Sequence, residues 1–306
     1  MITTVTNAVI SLFLIMLVGV YGSKKGIITS EINNGLINIL LNIALPFMVI
    51  TSFMFTFDES IKSNVIKAFY YSLITYFILI ALSYILLLPI KGDKKTIIHF
   101  ANVFTNTGYI GFPVLNTIYG PEGVVYGSMF NMFFVLFLWT YGIGLFKGYM
   151  EKDELKKELL KTLLNPSIIA VVIGVIIMVF EISIPTIFFS SIKSVGSITG
   201  PLSMIIVGAI LSRVKFKNHL KDWTLYYGIM IKLILLPIIL YGISIIINDR
   251  SIVANSVIII ASMPAAAMTS IFAESYDKEK DFAAIVVLTT TLLSVITIPL
   301  LVNILI

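Results

Sequence analysis

Residues 101–113 read Ala101-Asn102-Val103-Phe104-Thr105-Asn106-Thr107-Gly108-Tyr109-Ile110-Gly111-Phe112-Pro113, and this stretch decides how the chain is understood. It lies within a hydrophobic segment, 96–119, of a length to cross a bilayer. Yet it is poorly suited to an unbroken helix. Pro113 lacks the N–H of the helical ladder and clashes with the turn before it, and Gly108 and Gly111 weaken helix over the same span. Broken backbone at membrane depth leaves amides and carbonyls that hydrocarbon cannot satisfy. It is tolerated only inside protein or beside a water-filled cavity. Thr105, Asn106 and Thr107 stand just before the expected break and could satisfy those groups. A simple proline kink packed against its neighbours is the plainer alternative.

The surrounding chain makes the membrane the natural setting. Of 306 residues, 58% are hydrophobic and 12% charged, against about 25% charged in a soluble domain. Ten apolar runs can be marked, at about 3–22, 32–56, 67–90, 96–119, 122–146, 166–181, 186–211, 222–247, 251–274 and 282–305. About 20 residues at 1.5 Å rise match a hydrocarbon core of roughly 30 Å. The first run has no basic residue before Ser11, so it reads as a retained helix rather than a cleaved signal peptide. The absence of cysteine excludes disulfides and thiol chemistry.

Charge orients the chain. With the N-terminus outside, sixteen of the 21 lysines and arginines fall in inside loops and three, Lys62, Lys67 and Arg250, in outside ones. That is the positive-inside bias, and its strict alternation supports ten spans with both termini outside. It also explains the net charge of +5 without nucleic acid. A polar run from Lys147 to Lys161 divides the chain into a first five-helix repeat, 1–150, a cytoplasmic connecting segment, 151–165, and a second repeat, 166–306. Five helices per half means that the second half enters the membrane from the other side. Pro46 pairs with Pro201 and Pro113 with Pro264 at matching places, which argues for an inverted repeat of the kind used by secondary transporters. The expected fold is therefore all-α, ten transmembrane helices as two inverted five-helix repeats.

The ninth run repeats the device with small residues, Ala261-Ser262-Met263-Pro264-Ala265-Ala266-Ala267. If the fourth and ninth helices cross at their breaks, two half-helices begin near Pro113 and Pro264, where proline suits a first turn. Their free amides and partial positive charge favour an anion. Lys232 lies ten residues beyond Asp222, hence about 15 Å deep. An ionisable group there could be a substrate counter-ion, a titrating group or a plug bonded to carbonyls. Lys193 is shallower and snorkels more easily. The candidate substrate-binding residues are Asn102, Asn106, Thr107, Gly108, Gly111, Pro113, Asn131, Lys232, Ser262, Met263 and Pro264.

Other polar residues within the runs read as structural. Asn38 and Asn42 share a face and suit inter-helix hydrogen bonds, Thr289, Thr290 and Thr291 suit packing, and His99 suits the inner surface. No Asp or Glu lies near the centre of any run, unlike a carboxylate-based cation exchanger. No Walker loop, HExxH or GxSxG occurs, so neither ATP nor an enzyme site is expected. No cofactor or metal site is expected.

Together these residues resemble the auxin efflux carrier family of the bile acid/sodium symporter-like superfamily. The likeness rests on Asn106-Thr107-Gly108-Tyr109-Ile110-Gly111-Phe112-Pro113 followed by Tyr119-Gly120, on Asn165-Pro166, and on Pro201-Leu202-Ser203 through Gly208. It extends to Lys232-Leu233 through Pro237 and to Met263-Pro264-Ala265. The resemblance implies a scaffold domain, a transport domain containing crossed broken helices, and elevator-like transport. Plant members export the auxin anion; bacterial members are permeases for malate, malonate and similar carboxylates. In plant members an asparagine near the first proline contributes to the site, and Asn106 is the nearest match, seven residues before Pro113. Where they carry an asparagine before the second proline, Ser262 and Met263 stand here, which points away from auxin itself. The long cytoplasmic loop of many plant members is also absent.

The function expected is secondary transport of a small mono- or dicarboxylate across the cell (plasma) membrane. A sodium-coupled symporter of the bile-acid type is the alternative, and a channel or non-transporting receptor the alternative of another class. Partners are the organic anion and the lipid bilayer, with a proton or sodium as coupling ion and a homodimer left open.

Overall fold

Three prolines sit in one local arrangement. In a computed structural model, which describes residues 2–54, 59–148, 156, 158, 160, 163–213 and 221–305, Pro46, Pro113 and Pro237 each follow a five-residue π-helical turn. The turns are Leu40–Ala44, Thr107–Gly111 and Ile231–Leu235. The residue before each proline donates five residues back, Leu45 to Leu40 O, Phe112 to Thr107 O and Leu236 to Ile231 O. A proline removes one ladder donor and presses on the carbonyl four residues earlier. A widened turn ahead of it relieves that clash. Pro113 therefore sits in a continuing helix and does not break it. The break expected at Pro113 lies instead at Phe104–Asn106, where the polar residues are.

The elements, in chain order, are α1 (Ile2–Lys24), α2 (Ser30–Ser52), α3 (Glu59–Leu86), α4 (Asp93–Val103) and α5 (Thr107–Lys147). They continue as α6 (Pro166–Val179), α7 (Thr186–Leu211), α8 (Trp223–Ile246), α9 (Ile252–Ala261), α10 (Met268–Ser275) and α11 (Lys280–Leu305). Among the described residues there is no strand, and six helices are long and apolar enough to cross a membrane. This is an all-α membrane protein. The polar connecting segment 151–165 lies largely outside the described residues.

α5 is not one rod. Gly120 takes φ 61° and ψ −150° ahead of Pro121, a conformation that only glycine adopts without strain. Positions on either side then meet: a Cβ on Gly127 would touch Leu115 and Phe112, and Thr107 Oγ1 donates to Asn131 Oδ1 at 2.7 Å. The 41-residue stretch thus folds back on itself as two arms.

Without a hydrophobic drive between helices in lipid, close packing holds them together. α1 and α7 make the tightest approach. A Cβ on Gly19 would lie 2.1 Å from Ile205 O and one on Gly208 1.9 Å from Met16 O, so these glycines let two backbones touch. α2 packs on α6 and α7, where Gly174 faces Phe53 and Gly196 faces the backbone of Met48. α3 packs on α5 through Tyr76, whose ring stacks on Phe137 at 5.1 Å. Large apolar side chains such as Leu17, Tyr70, Phe77, Phe188, Ile238 and Ile296 stay exposed on the outer face, as lipid contact requires.

The helix ends are stapled by polar groups. Lys94 pairs with Asp222 at 2.6 Å, joining the starts of α4 and α8. Lys67 pairs with Asp249 at 2.6 Å, and Tyr71 donates to the same carboxylate at 2.5 Å, so α3 holds the α8–α9 turn. Burial raises the Asp249 pKa, but Lys67, Tyr71 and Ser251 together outweigh it and hold the carboxyl below its ordinary value.

Gly208→Ala is expected to lower the melting temperature in detergent by the equivalent of about 1–3 kcal/mol, the usual cost of overpacking. Gly242→Ala, in a helix with open space around it, is expected to be neutral or to stabilise by about 0.4–1 kcal/mol. Equal effects at the two sites would refute the close approach of α1 and α7. A depressed carboxyl contributes stability above its unfolded pKa of about 4 and loses it as pH falls through the folded value. The melting temperature of the wild type should therefore fall more steeply than that of Asp249→Asn as a titration is carried below pH about 4.

Candidate functional site

The site begins with an accounting problem. α4 stops at Val103 and α9 at Ala261, both inside the protein. Each leaves carbonyls without helical partners, and the segments that follow leave amides. The two breaks solve this for one another. Asn106 N–H donates to Pro264 O at 2.8 Å and Ala266 N–H to Phe104 O at 3.0 Å, an antiparallel bridge centred on Thr105 and Ala265. The amide of Ala265 finds Thr290 Oγ1 on α11 at 3.3 Å. Thr290 is thus more than the packing residue its sequence suggests. Alanines at 265–267 let the two extended links approach, and Ala265 is fully buried.

Beyond the bridge the second half-helices begin. Asn106 caps the start of α5, its Oδ1 accepting from Tyr109 N–H at 3.2 Å. α10 begins at Met268. The half-helices therefore start at Thr107 and Met268, not at Pro113 and Pro264. Pro264 stands in the extended link, where its missing N–H is not needed and its carbonyl is used.

A cavity of about 230 Å³ opens where these N-termini converge. The crossing contributes Thr105 through Tyr109 and Ala266 through Met268. Asn131, Phe134, Leu138 and Trp139 come from the second arm of α5, and Leu41, Asn42 and Leu45 from α2. Asn165, Pro166 and Ser167, at the start of α6, complete the wall. None of these described lining residues is charged. Asn131 Oδ1 is occupied by Thr107, and Asn106 Oδ1 by Tyr109, leaving their amide NH₂ groups as donors. The Thr105 hydroxyl is buried with no partner. The half-helix N-termini, the NH₂ groups of Asn106 and Asn131 and the Thr105 hydroxyl give this uncharged wall its donors, chemistry that suits the oxygen atoms of an anion.

Of the residues singled out from sequence, Asn106, Thr107, Gly108 and Asn131 line this cavity together. Asn102, Gly111, Lys232, Ser262, Met263 and Pro264 are not on its wall, and Pro113 faces another cavity. Lys232 is 1% exposed and donates to Asn102 O at 2.9 Å, the carbonyl-bonded arrangement among the three weighed for it. His99 is buried, not superficial: Ser83 Oγ lies 2.9 Å from its Nδ1 and Tyr141 OH 2.6 Å from its Nε2. Asn42 bonds within its own helix to Asn38 O at 3.0 Å rather than between helices. Sequence reasoning left out Ala266, Ala267, Met268 and Trp139. For the first three, the pointer was the proline itself: an extended link after Pro264 puts the new helix start several residues later.

A second cavity, about 380 Å³, lies farther along α2. Pro113, Asn116 and Thr117 of α5, Met48, Thr51 and Ser52 of α2, and Lys193, Gly196, Ser197, Gly200 and Pro201 of α7 border it. The two cavities meet α2 at 41–45 and at 48–52.

Asn106→Ala is expected to cost about 1 kcal/mol through the lost cap, whereas Asn106→Ser, which can still cap, stays near wild type. Thermal unfolding of both variants checks this; equal losses would mean that Asn106 does not cap.

Comparison with known proteins places the chain among membrane transporters. Residues 4–302 match the family described as membrane transport protein. A transporter of Methanothermobacter thermautotrophicus, itself uncharacterized, is 25% identical over 300 residues, covering 96% of both chains. An uncharacterized transporter of Methanocaldococcus jannaschii is 25% identical over 310 residues, again with 96% of each chain covered.

Proposed function

This chain belongs to the membrane transport protein family, that of the auxin efflux carriers, and we propose that it is a secondary active transporter of a small organic anion, a mono- or dicarboxylate such as malate or malonate. The observation that carries the proposal is the uncharged, donor-rich cavity at the crossing of the two broken helices. Its volume of about 230 Å³ lies below the roughly 300–1,000 Å³ of drug-sized pockets, which favours a small solute. The carboxylate is held by the backbone at Gly108 and at the start of α10 and by the side-chain NH₂ groups of Asn106 and Asn131, with the Thr105 hydroxyl joining them. Asn102, Gly111, Pro113, Lys232, Ser262, Met263 and Pro264 support this site by holding the crossing rather than by touching substrate.

The chain is organised as two inverted five-helix repeats, 1–150 and 166–306, joined by 151–165. In support, each half supplies one broken helix, and the two breaks pair symmetrically. Alternating access is of the elevator type. The crossing, with α3, α5, α8 and α11, moves against α1, α2, α6 and α7, and the two cavities mark the two ends of the route. Both termini face outward in the plasma membrane, as the basic loops argue.

Reconstituted protein is expected to take up radiolabelled malate or malonate with saturation. Asn131→Leu, which removes the donor and fills the cavity, is expected to lower uptake at least about tenfold, the effect of losing some 1.4 kcal/mol of binding. Asn106→Ser is expected to reduce uptake while its melting temperature holds. Uptake that does not saturate would point to a channel, and wild-type uptake in both variants would remove the cavity from the route.

A further inference from the structure

Four carboxamides line the crossing cavity, those of Asn42, Asn106, Asn131 and Asn165. A carboxamide offers a carbonyl on one side and an NH₂ group on the other. Which side a solute meets depends on which side the protein has already engaged. Asn106 Oδ1 accepts from Tyr109 N–H at 3.2 Å, Asn131 Oδ1 from Thr107 Oγ1 at 2.7 Å and Asn165 Oδ1 from Ser167 N–H at 2.9 Å. These three have the carbonyl engaged and the NH₂ group open. Asn42 is reversed. Its Nδ2 donates to Asn38 O at 3.0 Å, one turn back on α2, and its Oδ1 has no partner among the described residues.

The reversal sets one acceptor against a group of donors. Leu41, Asn42 and Leu45 of α2 stand across the cavity from Thr105–Tyr109. A carboxylate has acceptor oxygens only. It satisfies the NH₂ groups and offers nothing to Asn42 Oδ1. A solute with a carboxylate alone would displace water from that carbonyl and return no bond, which is a loss. An ammonium group would bring a donor. It would also bring two further N–H groups and a full charge, and no carboxylate stands on the described wall to receive them. A hydroxyl brings one donor and no charge.

We propose that Asn42 is a specificity-determining residue whose Oδ1 accepts from a hydroxyl on the transported acid, so that the solute is a hydroxycarboxylate rather than its deoxy counterpart. The proposal rests on the organic-anion reading of the cavity and narrows it. It also gives the bond to Asn38 O a role. That bond holds the Asn42 NH₂ group against its own helix and keeps the carbonyl open.

The experiment uses the full chain in proteoliposomes and pairs of acids that differ by one hydroxyl. Uptake of radiolabelled malate is competed by malate and by succinate, and uptake of radiolabelled lactate by lactate and by propionate. In the wild type the hydroxy acid of the transported pair is expected to bind about three- to tenfold more tightly, the worth of one hydrogen bond. Asn42→Leu keeps the bulk of the side chain and removes the carbonyl. It is expected to bring the two acids to equal binding by weakening the hydroxy acid alone. Asn42→Ala is read in the same way if the leucine variant is not recovered from the membrane. Equal binding of both acids by the wild type would overturn the proposal. So would a variant that keeps the preference, or one that weakens both acids alike, which would make Asn42 structural. Each of these results leaves the carboxylate reading standing. Saturable uptake of none of the four acids would overturn both.

Discussion

At membrane depth a backbone amide or carbonyl without a partner has no water to turn to. The antiparallel bridge between Thr105 and Ala265 meets that constraint where two helices stop in mid-membrane. Its two hydrogen bonds, Asn106 to Pro264 and Ala266 to Phe104, leave the amides on the far side free to open new helices. The site therefore arises from the same event that satisfies the break. Thr290 and Lys232 complete it from α11 and α8, each answering one backbone group that the bridge cannot reach. Remove the bridge and the half-helices lose both their pairing and their aim.

Much of this was legible in the sequence, and the reasons are local. The all-α membrane class needed only long apolar runs and few charges. Asn106, Thr107 and Asn131 could be singled out because amides and hydroxyls are scarce in the middle of apolar runs. What was not legible was position along the break. Pro113 is the loudest signal in its segment, yet a π-helical turn absorbs it, and the quieter Thr105-Asn106 pair marks the true interruption. The same kind of displacement appears in α9–α10, where Ala266–Met268 replaces Ser262–Pro264 on the cavity wall. His99 was misplaced for another reason. Depth along a helix can be counted from sequence, but the neighbours that bury a side chain, here Ser83 and Tyr141, come from other helices.

The rest of the molecule divides according to how its helices touch. α1 and α7 meet backbone to backbone through Gly19 and Gly208, a contact with little room for relative movement. α2 meets α7 backbone to backbone at Gly196 and meets α6 where Gly174 takes the Phe53 ring. The crossing faces α2 across the first cavity, where Leu41, Asn42 and Leu45 stand opposite Thr105–Tyr109. Phe13 and Met16 of α1 and Met204, Val207 and Leu211 of α7 nonetheless share one apolar core with the crossing and α11.

The absence of charge from the cavity wall among the described residues bears on what the site can do. A fixed cation opposite a carboxylate in a low-dielectric pocket binds strongly, and a carrier must also let go. Helix N-termini and carboxamides offer dispersed partial charge instead, enough to orient an anion without trapping it. The one deeply buried lysine near the crossing is turned to the opposite, carbonyl-bearing end of the broken helix. The two ends at this break are thus answered by different chemistry: the Lys232 side chain donates to a carbonyl at the end of α4, and the Asn106 carboxamide accepts from an amide at the start of α5.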